Sequence, residues 1–489
     1  MKHITIDPIT RLEGHGKINI FLNDEGNVEN CYFQIPELRG FEKFCVGRPA
    51  EEVPRITIRL CGVCPAAHHM AATKAVDGVF NVEPPPAAKK LRELFYNVYY
   101  VYDHTLHFYY LGAPDFVVGP DADPAKRNIL GVIEKVGLET GSKVIEHRKY
   151  AQDMQILMTG GRSTHPVWGL PGGVSKGITE EERKELEEKG EKCLEFAKFS
   201  LKLFEDVVLG NKQYVDLIFS DAYKLEVGDM GLVDENNKVN FYDGKVRVTD
   251  PEGNEICKYS PDEYTDYVAE QVLPYSYLKY PYMKKLGWKG FKEGAGTSIY
   301  RAIPLSRLNA ADGMATPLAQ EHYEKMYDTV GGKPCHATLA MHWARLVELL
   351  YSAERWMELV KDEEITSPDF RNLPQKTPDE GVGIVEAPRG TLTHHYKTDE
   401  NGIITEANLI VGTTNNNAPI SMSIKKAAQS LIKDIEGDVD ESLLNMVEMA
   451  FRAYDPCFSC ATHSLPGKMP LEVTVYDAAG EVVKNVRRV

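Results

Sequence analysis

A chain of 489 residues with 43% apolar and 26% charged side chains has the mix of a soluble globular protein, and is long enough for one large interwoven unit or two to three domains. A net charge of −16 without a basic stripe argues against a nucleic-acid surface, and no apolar run is long enough to span a bilayer. The N-terminus has no apolar signal core, and nine cysteines without a disulfide framework fit a reducing cytoplasm.

In chain order, residues 1–35 read as strands. Segments 17–23 and 28–35 alternate around the turn Asp24-Glu25-Gly26-Asn27. A helix-rich middle follows, with helical periodicity over 87–110, over 124–157 with a break near Gly137, and over 179–209, where Thr179 and Glu182 form a capped start. Between 210 and 300 the signal weakens to short strand-like runs and turns, which reads as an irregular insertion. Helices return over 316–330 and 336–361. Strands are expected at 381–386, 390–398 and 403–413, helices at 419–431 and 441–454, and a last hairpin at 471–476 and 481–486. Strands at both ends around a helical middle predict a predominantly helical α+β fold, one continuous unit spanning 1–489.

Two Cys-x-x-Cys pairs lie near opposite ends, Cys61-Gly-Val-Cys64 and Cys457-Phe-Ser-Cys460. Four thiolates brought together by folding suit a soft or borderline metal. From spacing alone a structural zinc site is the plain reading. A chain this large needs no staple to fold, however, and each pair is flanked by residues without a structural-zinc role: Arg59 and His68, then Asp455 and His463.

These residues resemble the two signature motifs of the large subunit of nickel–iron hydrogenases. Four further segments resemble that family's motifs in the same order: Thr10-Arg11-Leu12-Glu13-Gly14-His15, Arg39-Gly40-Phe41-Glu42, Tyr102-Asp103-His104 through His107-Phe108-Tyr109, and Glu386-Ala387-Pro388-Arg389-Gly390. The resemblance implies a fold with a central helical bundle and small antiparallel sheets from both ends. It also implies a Ni–Fe(CN)2(CO) centre that splits H2 reversibly and heterolytically into protons and electrons. Cys61 and Cys457 would then be terminal nickel ligands, and Cys64 and Cys460 bridging ones. Glu13 matches a proton-relay carboxylate, and Arg389 an arginine above the open site, held by Asp455 and Asp103. His68 would support a bridging thiolate. Glu42, the Leu409 carbonyl and His463 match the ligands of a second site for Mg2+ or Fe2+.

The remaining five cysteines are scattered, which leaves no iron–sulfur cluster and no exit for electrons within this chain. The resemblance therefore implies an iron–sulfur small subunit, with diaphorase-type flavin/iron–sulfur or bifurcating subunits beyond it. NAD(P), deazaflavin, ferredoxin and disulfide partners all stay open as acceptors. Nickel chaperones and a maturation protease are implied too; the protease would cut after His463 and remove 464–489 as a propeptide. Gly160-Gly161-Arg162 through His165-Pro166, Tyr300-Arg301 and Arg307-Leu308-Asn309 look more like the cytoplasmic, cofactor-coupled (group 3) members, while Tyr110 stands where uptake enzymes often carry histidine. An H2 sensor with little turnover is the alternative. A relative of the complex I quinone-site subunit is disfavoured by the four thiols.

Overall fold

The structure is a computed structural model that describes residues 2–37, 40–161, 165–435, 439–462, 471–476 and 482–488. An antiparallel sheet opens the chain, its strands Lys2–Ile6, Lys17–Leu22 and Val28–Gln34 in the order of the sequence. Ile18, Ile20 and Leu22 alternate inward and are fully buried, which is the period-two pattern of the sequence turned into a packed face.

Long helices form the body. Helix Pro86–Leu106 starts on proline, whose missing N–H costs nothing in the first turn. It then runs through the core beside Met341–Val360 and Leu138–Thr159. Beyond Leu106 the chain continues as wide π-turns over His107–Gly112 and Pro114–Val118. The widened turn lets His342 close on the backbone: a Cβ at Gly112 would lie 2.8 Å from His342 Cε1. Helix Glu180–Phe204 has the expected capping box, with Thr179 and Glu182 each bonding the other's backbone N–H.

Two expectations are corrected. The helical stretch expected over 124–157 breaks at Gly137 as expected, into Ile129–Val136 and Leu138–Thr159, but it begins at Ile129 rather than at 124. The first begins later than expected because Asn128 caps it, its side chain accepting from the N–H groups of Leu130 and Gly131. The 210–300 region is not irregular. It holds a sheet of strands Gly228–Val233, Lys245–Thr249, Glu255–Tyr259 and Tyr300–Arg301, and a ribbon of Val268–Val272 with Lys279–Met283. Gly228–Val233 is buried along its whole length, so it shows no alternation to read.

A third antiparallel sheet, Glu380–Ala387, Gly390–Thr398 and Ile404–Ile410, carries the helix Pro65–Val79 on its face. Gly381 and Gly383 make that contact possible, since a Cβ at either would come within 2.1 Å of a carbonyl of Ala75 or Ala71. The chain returns through Asn417–Leu431 and Glu441–Arg452 to the second cysteine pair. The C-terminal hairpin pairs Leu471–Tyr476 with Val482–Arg488. No described helix is long and apolar enough to cross a membrane.

Candidate metal centre

Both cysteine pairs sit where a chain enters a helix. Cys64 is the N-cap of Pro65–Val79, and Cys457 is the N-cap of the short turn Phe458–Ala461. Helix N-termini favour negative charge, and thiolate is the form that binds metal. The N–H groups of Val63 and Cys64 both point at Cys61 Sγ, at 3.2 Å.

All four sulfurs lie within 4.8 Å of one another and are buried. Cys61 and Cys457 approach to 3.2 Å, Cys64 and Cys460 to 3.5 Å, and Cys457 and Cys460 to 2.9 Å. Metal–thiolate bonds of about 2.3 Å span such a set from a common centre. Burial drives the Cys457 and Cys460 thiols well up. Against the same burial, bonds from Cys457, Cys460 and Cys64 and the charge of Arg389 draw Cys61 well down. Four thiolates cannot ionise together here without a cation among them, so the donor set fits a metal centre.

The N-terminal motif reaches this site through backbone pairing. Glu13 N–H donates to Pro456 O at 3.3 Å, and Phe458 N–H to Glu13 O at 3.0 Å. The Glu13 side chain then accepts from the Cys457 thiol at 3.0 Å and from Ser459 N–H at 3.0 Å, both on Oε2. Burial, with the charge of Cys61 next, raises its carboxyl above the ordinary value. The neighbouring Arg11 anchors the segment by pairing with Asp115, which also binds Arg452 at 2.6 Å. Thr10 N–H donates to Glu448 Oε1 at 2.9 Å, and Glu448 pairs with Arg452 at 2.6 Å.

Arg389 occupies the tip of the hairpin between Glu380–Ala387 and Gly390–Thr398. Gly390 has φ +134°, and a Cβ there would lie 2.3 Å from Ala302 O. Arg389 is 2% exposed, with Nη1 on Asp103 Oδ2 at 3.0 Å and Nη2 beside Asp455 Oδ2 at 2.9 Å. Tyr99 OH donates to the same oxygen of Asp103 at 3.0 Å. Burial works against the charged guanidinium, but Asp103 and then Asp455 more than offset it and hold its proton firmly.

His68 lies one helical turn beyond Cys64, its Nδ1 at 3.1 Å from His394 Nε2. His394 Nδ1 in turn meets the Tyr396 hydroxyl at 2.5 Å. Burial, with His68 next, keeps His394 neutral far below the usual imidazole range. Sequence reasoning missed His394, Tyr396 and Tyr99. Only their place opposite His68 and Asp103 gives them meaning, although His394 follows Arg389 by five residues and invited inspection.

For the second expected site, Glu42 lies on the short helix Phe41–Cys45, which packs on strand Ile404–Ile410 carrying Leu409. The segment that follows that helix is stitched to the same strand, Gly47 N–H donating to Ile404 O at 2.8 Å. His463, Arg39 and Arg162 lie outside the described residues.

A buried tetrathiolate flanked by a carboxylate and an arginine, on this helical α+β fold, has the donor set of a thiolate-ligated metal centre. The sequence profile described as nickel-dependent hydrogenase matches residues 39–132 and 183–463, and a HoxL-like profile matches 3–38. The chain belongs to the nickel-dependent hydrogenase family, as its large, catalytic subunit, an oxidoreductase. It is 54% identical over 487 residues to an iron–sulfur subunit of the F420-non-reducing hydrogenase of Archaeoglobus profundus, covering all of both chains. It is 37% identical over 501 residues to the beta subunit of the NAD-reducing hydrogenase HoxS of Cupriavidus necator, again covering all of both. A crystal structure of an NAD+-reducing NiFe hydrogenase in its H2-reduced state superposes with TM-score 0.88 at 36% identity, covering 95% of this chain and 100% of that one. The likeness to group 3 members is thus supported, and the cluster of four cysteines fits a nickel–iron centre.

Proposed function

We propose that this chain catalyses reversible H2 oxidation at a Ni–Fe(CN)2(CO) centre held by Cys61, Cys64, Cys457 and Cys460. The observation that carries the reading is the Glu13 carboxylate at 3.0 Å from Cys457 Sγ, inside a buried tetrathiolate. When bound, the metal pair supplies the electrophilic site at which H2 is polarised and its electrons are taken up. Cys457 Sγ accepts the proton that leaves the substrate, and Glu13 Oε2 receives it from the sulfur. The upward shift of Glu13, caused by burial and then by the charge of Cys61, suits that task, because a carboxyl that can take up a proton relays better than one always ionised. Arg389 presents a fixed charge to the site, aimed by Asp103 and Asp455, and His68 braces the first cysteine pair. Glu42, the Leu409 carbonyl and His463 would hold Mg2+ or Fe2+; oxygen-rich ligation would favour Mg2+, and the imidazole would admit Fe2+.

Among the described residues, the four cysteines are the one group placed to hold a metal, and none of the other five thiols forms a cluster. Relatives named as single subunits of hydrogenases support transfer of electrons to an iron–sulfur small subunit in a cytoplasmic complex. The 54% identity to a relative named F420-non-reducing supports an acceptor other than F420, and it exceeds the 37% to one named NAD-reducing. Ferredoxin or a disulfide-reducing partner, reached through flavin/iron–sulfur subunits, fits that preference, and NAD(P) stands second. The mature chain ends at His463 after 464–489 is removed.

The test is H2-dependent dye reduction by the purified complex, followed by NAD+, F420 and ferredoxin as acceptors. Stoichiometric metals with negligible turnover would move the chain to H2 sensing. Intact mass of active enzyme with residue 489 still present would refute the propeptide.

A further inference from the structure

We propose that Arg345 is a positioning residue for H2 activation, acting from behind the Asp455 turn rather than on the reacting atoms. The proposal rests on the functional reading above and adds to it a residue that none of the six motifs contains.

Helix Met341–Val360 presents His342, Arg345 and Glu348 toward the histidine-bearing helix. His342 stacks on His107, with centroids 5.5 Å apart and planes 12° from parallel. Glu348 takes a bond from His104 Nε2 at 2.9 Å. Arg345, between them, is fully buried, and both its Nη1 and Nη2 donate to one acceptor, Ala453 O, at 3.3 Å. Among the described residues no carboxylate pairs with it directly, and its Nε has no partner. A buried guanidinium with only a carbonyl to bind is costly, so its retention needs a reason. Its pKa is drawn down to about 10 by burial, and Asp455 is the largest charge that offsets the penalty.

The position of Ala453 supplies that reason. It is the C-cap of Glu441–Arg452, where the last carbonyls lack helical partners and carry the negative end of the dipole. The preceding carbonyl, Arg452 O, accepts from His107 Nε2 at 3.0 Å. Two residues past Ala453, Asp455 adopts φ +54°, a left-handed conformation, and two more residues lead to Cys457. His107 and Arg345 therefore clamp the start of the turn that aims both the Asp455 carboxylate and the Cys457 sulfur. On its far side, Cys457 N–H donates to Thr413 Oγ1 at 3.1 Å.

Charge balance points the same way. Asp103 and Asp455 set two carboxylates against the single guanidinium of Arg389. Arg345 supplies a second positive charge that acts on Asp455. Without it, Arg389 alone would face both carboxylates.

Arg345→Met and Arg345→Lys in the full complex test this. In Arg345→Met, nickel per chain stays near wild type, H2 oxidation per nickel falls about 10–100-fold, and KM for H2 holds, since the loss lies in the transition state. Amide hydrogen exchange across 453–460 accelerates in the same variant, with or without metal. Arg345→Lys keeps the charge and recovers part of the rate; it also serves if the methionine variant does not fold, with a smaller loss per nickel expected. Wild-type activity per nickel in Arg345→Met, or a loss explained wholly by missing nickel, would overturn the proposal. If the wild-type complex oxidises no H2, the functional reading fails instead, and unchanged amide exchange in the variants would separately refute the clamp.

Discussion

Glu13 and Cys457 stand 444 positions apart in the chain and 3.0 Å apart in space. Their backbones pair as well, so the carboxylate is fixed to the motif that carries the sulfur and moves with it. If Cys457 takes up the proton, as proposed, Glu13 Oε2 is a carboxylate already within hydrogen-bond reach to receive it. Glu13→Gln keeps the shape and the bond from Ser459 N–H but cannot accept and release a proton. The variant should retain its metals and lose H2/D2O exchange by about 100-fold or more. Normal exchange at normal nickel content would remove Glu13 from the relay.

Arg389 spans Asp103 and Asp455 with two different nitrogens. A lysine brings one point charge and cannot bridge both carboxylates. Arg389→Lys should therefore keep the metal content and lower kcat about 10–100-fold. Equal rates per nickel in the two enzymes would show that charge alone suffices there.

Gly390 sets where that arginine sits. An alanine would meet Ala302 O at 2.3 Å and Gly412 O at 2.5 Å, in a φ of +134° that L-residues avoid. Gly390→Ala should cost at least about 1–3 kcal/mol in chemical denaturation. It should also lower activity per nickel by displacing the tip of the hairpin. A variant as stable and active as wild type would mean the hairpin tolerates a shift that the packing forbids.

Asp115 is buried between Arg11 and Arg452 and joins the N-terminal motif to the helix that leads to Cys457. Burial would raise its carboxyl, but Arg452 and then Arg11 hold it below the ordinary value. The folded pKa thus lies under the unfolded one, near 3.9. The resulting stability is fully present above that value and is lost as the pH falls through the folded pKa. Asp115→Asn should destabilise by about 3–5 kcal/mol in urea at pH 7, leaving two arginines short of a partner. The gap between variant and wild type should narrow below about pH 4. A gap independent of pH would assign the loss to packing.

The parts of this site that sequence revealed are those carried by short, contiguous motifs. Cys61 with Cys64, Cys457 with Cys460, and the Glu13 and Arg389 segments each announce themselves within a few residues. The pairing of Arg389 with Asp103 and Asp455 was legible through family likeness. Arg345, His394 and Tyr396 were not, because each acquires its role only from a partner more than 100 positions away or from a strand register that leaves no periodic trace. The same holds for the fold. The helices over 180–204 and 341–360 were readable from their period, whereas strand Gly228–Val233, buried on both faces, looked like an insertion. The π-turns at His107–Gly112 extended a helical pattern without changing its period enough to be seen.

The central claim is that Cys61, Cys64, Cys457 and Cys460 hold nickel beside iron. Metal quantification on the purified complex tests it most directly, with Cys61→Ser as the control. Nickel should be stoichiometric with the chain in the wild-type protein and lost in the variant. Stoichiometric zinc with no nickel in the wild-type protein would contradict it.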